Sequence, residues 1–263
     1  MKRIERFLRR YGVVHDLRGP RVRLGLAWAV VGSASLLLGS ATLAAFFVVN
    51  AGVAALQTAA RWRDAGVAVD QPLAAVGAGA LVLAAWLGGV ALGVALIVFA
   101  VAAVLFPEDL RRPASLRDVR ASMGAAWGTL ASGLFVGLAG GAVLAVHRVD
   151  VMVVLFLALA VCVYDAGDFL CTGGTRDRYV GPLSGMAGVA VVAVAMALLQ
   201  PPPFSSGSAL FVGLLLVVLC PAGQWLGSWI LPSSTTRAPG LRRLDAWLIA
   251  APVVMVATWI AQS

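Results

Sequence analysis

Apolar runs fill most of this chain, and its charged residues sit in the short gaps between them. No other feature limits the fold as strongly. A helix needs roughly 20 apolar residues to cross the hydrocarbon core of a bilayer. Runs of that length follow one another here, and the gaps are too short to build a soluble domain. The composition agrees, with 61% hydrophobic and 12% charged residues and a mean hydropathy of +0.94. Soluble domains hold about 45–50% apolar and about 25% charged residues. The fold class read from this is all-α, a polytopic integral membrane protein.

Two blocks, 24–60 and 72–106, are too long for one span each. They divide near Gly39-Ser40 and near Gly88-Gly89, where glycine interrupts the apolar pattern. Single spans follow at 121–146, 151–170, 181–199, 209–230 and 245–261. HRVD separates the first pair of these and QPPPFSSGS a later pair. The total is about nine spans. In coarse terms, residues 1–23 form a basic segment, 24–120 the N-terminal helices with a basic loop, and 121–263 the C-terminal helices.

The basic residues set an orientation. With the N-terminus in the cytoplasm, the loops 61–71, 107–120, 171–180 and 231–244 are cytoplasmic. Together with residues 1–23 they hold every Lys and Arg except Arg148. Short loops rich in Lys and Arg stay on the cytoplasmic side, so an even number of spans must separate them. The expected location is the cell inner (plasma) membrane, with the C-terminus external. The net charge of +8 is then topogenic, and nucleic acid is not an expected partner. Residues 1–23 show no small-residue cleavage site and read as a retained cytoplasmic segment. Ile4, Phe7 and Leu8 fall on one side of a short basic helix that would lie on an anionic surface; a solvated tail is the equal alternative. Cys162, Cys171 and Cys220 have no metal or disulfide spacing and read as small apolar residues.

Three acids stand apart from the loop charges. Asp165 and Asp168 end the sixth span, in VCVYDAGDFLCTGG, and Asp245 begins the ninth. Asp165 and Asp168 share a helix face and repel unless a cation or an arginine lies between them. Two readings stay open. The pair either takes a hard cation such as Mg²⁺, which binds carboxylates and phosphates together, or sits at headgroup level against Arg176 and Arg178. Asp245 is either part of the same constellation or a helix N-terminal acid favoured by the dipole. Gly133, Gly137, Gly140 and Gly141 suit close helix packing. Packing within one chain and packing in a homodimer both satisfy them.

The C-terminal third resembles the membrane phosphatidate cytidylyltransferases, or CDP-diacylglycerol synthases, of the actinobacterial type. Their signature runs G-D-L-x-E-S-x-x-K-R, then P-G-H-G-G-x-x-D-R-x-D-S, then a helix containing A-P. Here the frame reads GQWLGSWILP, SSTTRA and PGLRRLDAWLIAAPVVMV. Gly223, Ser228, Pro239, Gly240, Arg243, Asp245, Ala251 and Pro252 fall on the pattern. Upstream, DAGDFLCTG is similar to the family's D-x-x-A-Y-x-x-G, with Asp165 and Phe169 matching. Over roughly 24–261 the span plan is also similar.

The resemblance implies transfer of a cytidylyl group from CTP to phosphatidate, with release of pyrophosphate, for phospholipid biosynthesis. It implies Mg²⁺ on Asp165, Asp168 and Asp245, with Asp165 and Asp245 catalytic. Phosphate would be held by Arg242, Arg243 and Ser228, with Arg176 and Arg178 replacing missing lysines. Its implied partners are CTP and phosphatidate or a related lipid phosphate. The chain also departs from the pattern. Gln224 and Gly227 stand at acidic positions, Leu231-Pro232 at a Lys-Arg pair and Arg242 at an aspartate. PLSGMAG (182–188) lacks the lysine and glutamate of the family's S-P-x-K-T-W-E-G. These losses remove charge stabilisation from a phosphoryl-transfer transition state. They favour the alternative, a non-catalytic membrane paralogue that binds or regulates a partner.

Overall fold

The computed structural model describes residues 20–106, 116–172, 179–233, 236 and 238–260. The expected amphipathic N-terminal helix, Arg176 and Arg178 lie outside these residues. Among the described residues the structure is helical, without strands. The helices are α1 Pro20–Leu38, α2 Ser40–Asp64, α3 Gln71–Leu87, α4 Gly89–Leu105 and α5 Leu116–Val149. There follow α6 Val151–Thr172, α7 Val180–Leu199, α8 Ser206–Ile230, a 3₁₀ turn Leu241–Arg243 and α9 Trp247–Ile260.

The two long apolar blocks part at Gly39 (φ 107°) and Gly88 (φ 141°). Side chains other than glycine rarely adopt such angles, so a sequence of good helix formers breaks there. α3 starts on Asp70, whose carboxylate accepts the Leu73 N–H at 2.9 Å, with Pro72 in the first turn. Its other end meets Arg148, which donates to the Trp86 carbonyl at 2.8 Å. The one arginine outside the basic loops therefore caps a helix C-terminus.

Among the described residues, five stretches are long and apolar enough to cross a membrane: α2, Ser122–Val149, Val151–Cys171, α7 and α8. Ala27–Leu38, α3, α4 and α9 are shorter apolar helices. Of the cysteines, Cys220 is buried and Cys162 exposed, and the Cys171 thiol donates to Ser184 Oγ at 3.0 Å.

The chain forms two compact units. The first comprises the described residues up to Leu37 and Asp150–Ala222; the second comprises Leu38–Val149 and Gly223 onward. In the first, α6 and α7 pack through glycines. A Cβ on Gly167 would stand 2.9 Å from the Gly185 Cα, and one on Gly185 would stand 2.7 Å from the ring of buried Tyr164. Phe156 and Phe204 meet edge to face at 5.3 Å.

In the second unit α5 is central, with α2, α3, α4 and α9 against it. Its glycines let neighbouring backbones in. A Cβ on Gly133 would lie 2.5 Å from the Ala74 carbonyl oxygen, and one on Gly137 2.9 Å from that of Ala78. Gly140 faces Phe47 and Val82, and Gly141 faces Ala85. These glycines are thus used within the chain. Close backbone approach matters here because lipid supplies no hydrophobic drive for helix association, leaving dispersion to hold the helices.

Gly133→Ala is expected to cost about 1–3 kcal/mol by overpacking. Gly93→Ala, in open space on α4, should be neutral or gain up to about 1 kcal/mol in helix propensity. Thermal unfolding in detergent compares the two. Equal melting temperatures would show that the Gly133 contact carries no packing constraint.

Candidate functional site

The last two turns of α8 carry Gly223 and Gly227, one turn apart on the same face. A Cβ on Gly223 would collide with the Asp245 carbonyl oxygen, and one on Gly227 would stand 2.9 Å from the Asp245 Cβ. The missing side chains form a notch that receives the backbone of Asp245 and Ala246. Gly227 stands where the cytidylyltransferase pattern has glutamate, and the packing leaves no room for that side chain.

Asp245 is 2% exposed. One carboxylate oxygen accepts the Ala246 N–H at 2.8 Å, and the other faces Arg242 Nη1 at 3.3 Å. Arg242 Nη2 donates to Ser228 Oγ at 3.3 Å, and Ser228 donates in turn to the Gln224 carbonyl at 3.0 Å. A buried carboxylate needs such compensation, because an unpaired charge is costly away from water. The Asp245 carbonyl accepts the Leu248 N–H at 3.1 Å, so the same residue leads the chain into α9.

α2 fixes both ends of the connection before this turn. Trp62 Nε1 donates to the Ile230 carbonyl at 3.0 Å, satisfying one of the open acceptors at the end of α8. Gln57 Oε1 accepts the Gly240 N–H at 2.6 Å. Gly240 also lies against Ala54, whose Cα would be 3.1 Å from an added Cβ. Gly223 stands seven residues before Ile230, about 10 Å of helix. The turn carrying Asp245 therefore dips about one to two turns inside the end of α8.

Of the residues singled out in the sequence, the structure brings together Ser228, Arg242 and Asp245. Arg243 closes the 3₁₀ turn, and its N–H donates to the Gly240 carbonyl at 3.2 Å. Asp165 and Asp168 are half-buried on the last turns of α6, three residues apart on one side, and both residues have interaction partners. They belong to the first unit and Asp245 to the second. Among the described residues no group of three His, Cys, Asp or Glu side chains is arranged to hold a metal ion. Gln57 and Trp62 were not visible as site residues. The only signal was an amide and an indole near the polar end of a long helix.

No family model, curated protein or solved structure matches this chain significantly. The resemblance rests on the residues quoted for it.

Arg242→Ala or Asp245→Asn should each lower stability by about 1–3 kcal/mol. Arg242 is partly exposed, so their coupling in a double-mutant cycle should be nearer 1 kcal/mol, roughly. Additive losses would mean that the two side chains act separately. Gly227→Glu, which installs the glutamate of the cytidylyltransferase pattern, should fail to yield folded protein in detergent.

Proposed function

We propose that the chain is a membrane protein that keeps the frame of the phosphatidate cytidylyltransferases without their metal-dependent chemistry, and serves as a binding or regulatory partner in the membrane. One observation carries this reading. The carboxylate of Asp245, which the frame would assign to a metal, is closed by Arg242 on one oxygen and by its own backbone on the other. An acid so compensated sets the geometry of a turn. Gln224 and Gly227, at the frame's acidic positions, supply no replacement carboxylate, which supports the same reading.

The proposal includes about nine spans, the N-terminus in the cytoplasm and the C-terminus outside the inner (plasma) membrane. The clustering of arginines in alternate loops and the apolar length of the helices support it. A homodimer is compatible with this arrangement.

A second reading is a divergent transferase with Asp165, Asp168 and Asp245 on Mg²⁺. Arg242, Arg243 and Ser228 would hold phosphate, with Arg176 and Arg178 in support, and CTP and a lipid phosphate would be substrates. Its one favourable observation is the Arg242 side chain, 43% exposed beside the Ser228 hydroxyl, where a phosphate could draw it from Asp245.

Purified protein given phosphatidate, labelled CTP and Mg²⁺ should form no CDP-diacylglycerol. Product that disappears in Asp245→Ala would install the second reading in place of the first. For orientation, an impermeant maleimide applied to whole cells should label Gln200→Cys and spare Ala65→Cys in a background without the native cysteines. The reverse labelling would invert the topology.

A further inference from the structure

The Ser228–Arg242 contact lies on a seam. With about 100° between successive residues of a helix, Gly223 and Gly227 face the Asp245 turn, and Trp225 and Trp229 face the opposite way. Ser228 falls between these two faces. The tryptophans are open to the surroundings of the protein, at 73% and 65% exposed. Trp229 meets the 44% exposed Trp127 of α5 edge to face at 5.7 Å. Tryptophans of this kind gather where hydrocarbon meets headgroups. Arg242, reaching Ser228, therefore carries its charge to the border of the lipid-facing surface.

The charges on the two sides of the pair are unequally placed. Asp245 is enclosed, whereas Arg242 is not. The guanidinium spends one N–H on Asp245 and one on Ser228, both at 3.3 Å. A guanidinium has five N–H donors in a planar fork, and the others have no partner among the described residues. That is the geometry in which arginine takes a phosphate edge from the side.

We propose that this seam holds the phosphate of a resident anionic phospholipid, which enters sideways from the bilayer. Its glycerol and upper acyl region would lie on Trp225 and Trp229. Asp245 already balances Arg242, so the site suits a singly charged phosphodiester headgroup, of the phosphatidylglycerol type, over a doubly charged monoester. The proposal rests on the membrane placement argued above but not on the absence of transferase activity.

Native mass spectrometry of the full chain in detergent, with phosphatidylglycerol, phosphatidate and phosphatidylcholine in competition and no CTP, tests it. Phosphatidylglycerol should be retained over phosphatidylcholine by about tenfold, and phosphatidate should gain nothing further. Arg242→Gln should fall to parity, while Arg242→Lys, which keeps the charge, should retain most of the preference. Ser228→Ala, which leaves the ion pair in place, should weaken it several-fold, so a misfolded Arg242→Gln does not decide the matter. Equal retention of all three lipids, or an unchanged Arg242→Gln, overturns the proposal. Selection of phosphatidate over the diester would make this a monoester site. Displacement of the lipid by millimolar inorganic phosphate or CTP would make it a site for soluble phosphates. Turnover is not read in this experiment, so its failure is separate from that of the functional reading.

Discussion

The backbone of α3 lies against the glycine ridge of α5, and the second unit is organised around that contact. A side chain at Gly133 or Gly137 would meet a carbonyl oxygen of α3 at less than ordinary contact distance. The two helices therefore approach as closely as backbone permits. Both ends of the contact are locked by polar groups. Thr129 Oγ1 accepts the Asp70 N–H at 3.2 Å at one end, and Arg148 donates to the Trp86 carbonyl at the other. Register along α5 is thus set by hydrogen bonds, while the separation of the helices is set by missing side chains. α2 and α9 then pack onto α5.

The candidate site is built on α2 as much as on α8. Gln57 and Trp62 hold opposite ends of the connection 231–240 from one helix. The notch at Gly223 and Gly227 receives the turn that this connection delivers. Asp245 can be buried because three conditions hold together: the notch, the Ala246 N–H and Arg242. Remove the notch and the turn has no place; remove the arginine and the carboxylate loses its contact with a guanidinium. Irregular backbone at such depth is tolerated in a membrane only where protein encloses it or water reaches it, and here the enclosing groups can be named.

Much of the helical plan was legible because it depends on local chemistry. Glycine at 39 and 88 breaks apolar runs wherever they sit, and Asp70-Gln71-Pro72 is a helix start in any context. The ridge on α5 was legible as close packing, but its partner was not, since nothing local says whether a neighbouring helix is one's own or another copy's. Asp245 stood out in the sequence as an acid beside an apolar run. The acid is buried at depth, yet Arg242 three residues earlier meets it through a 3₁₀ turn that the sequence pattern does not announce. Gln57 pairs with a backbone amide 183 residues away, and no periodicity encodes that. The side of α6 shared by Asp165 and Asp168 follows from helical spacing, whereas what each carboxylate meets does not.

The four residues HRVD show how one short stretch can satisfy two different stages in the life of the protein. In the proposed orientation they are carried across the bilayer during insertion. Arg148 and Asp150 cancel in formal charge as the stretch is translocated. After insertion the two part company: Arg148 closes the end of α3, and Asp150 accepts the Met152 N–H at 2.7 Å at the start of α6. A pair of charges that is neutral during biogenesis becomes two separate helix caps in the folded chain. An exception to the distribution of arginines can thus persist without opposing it.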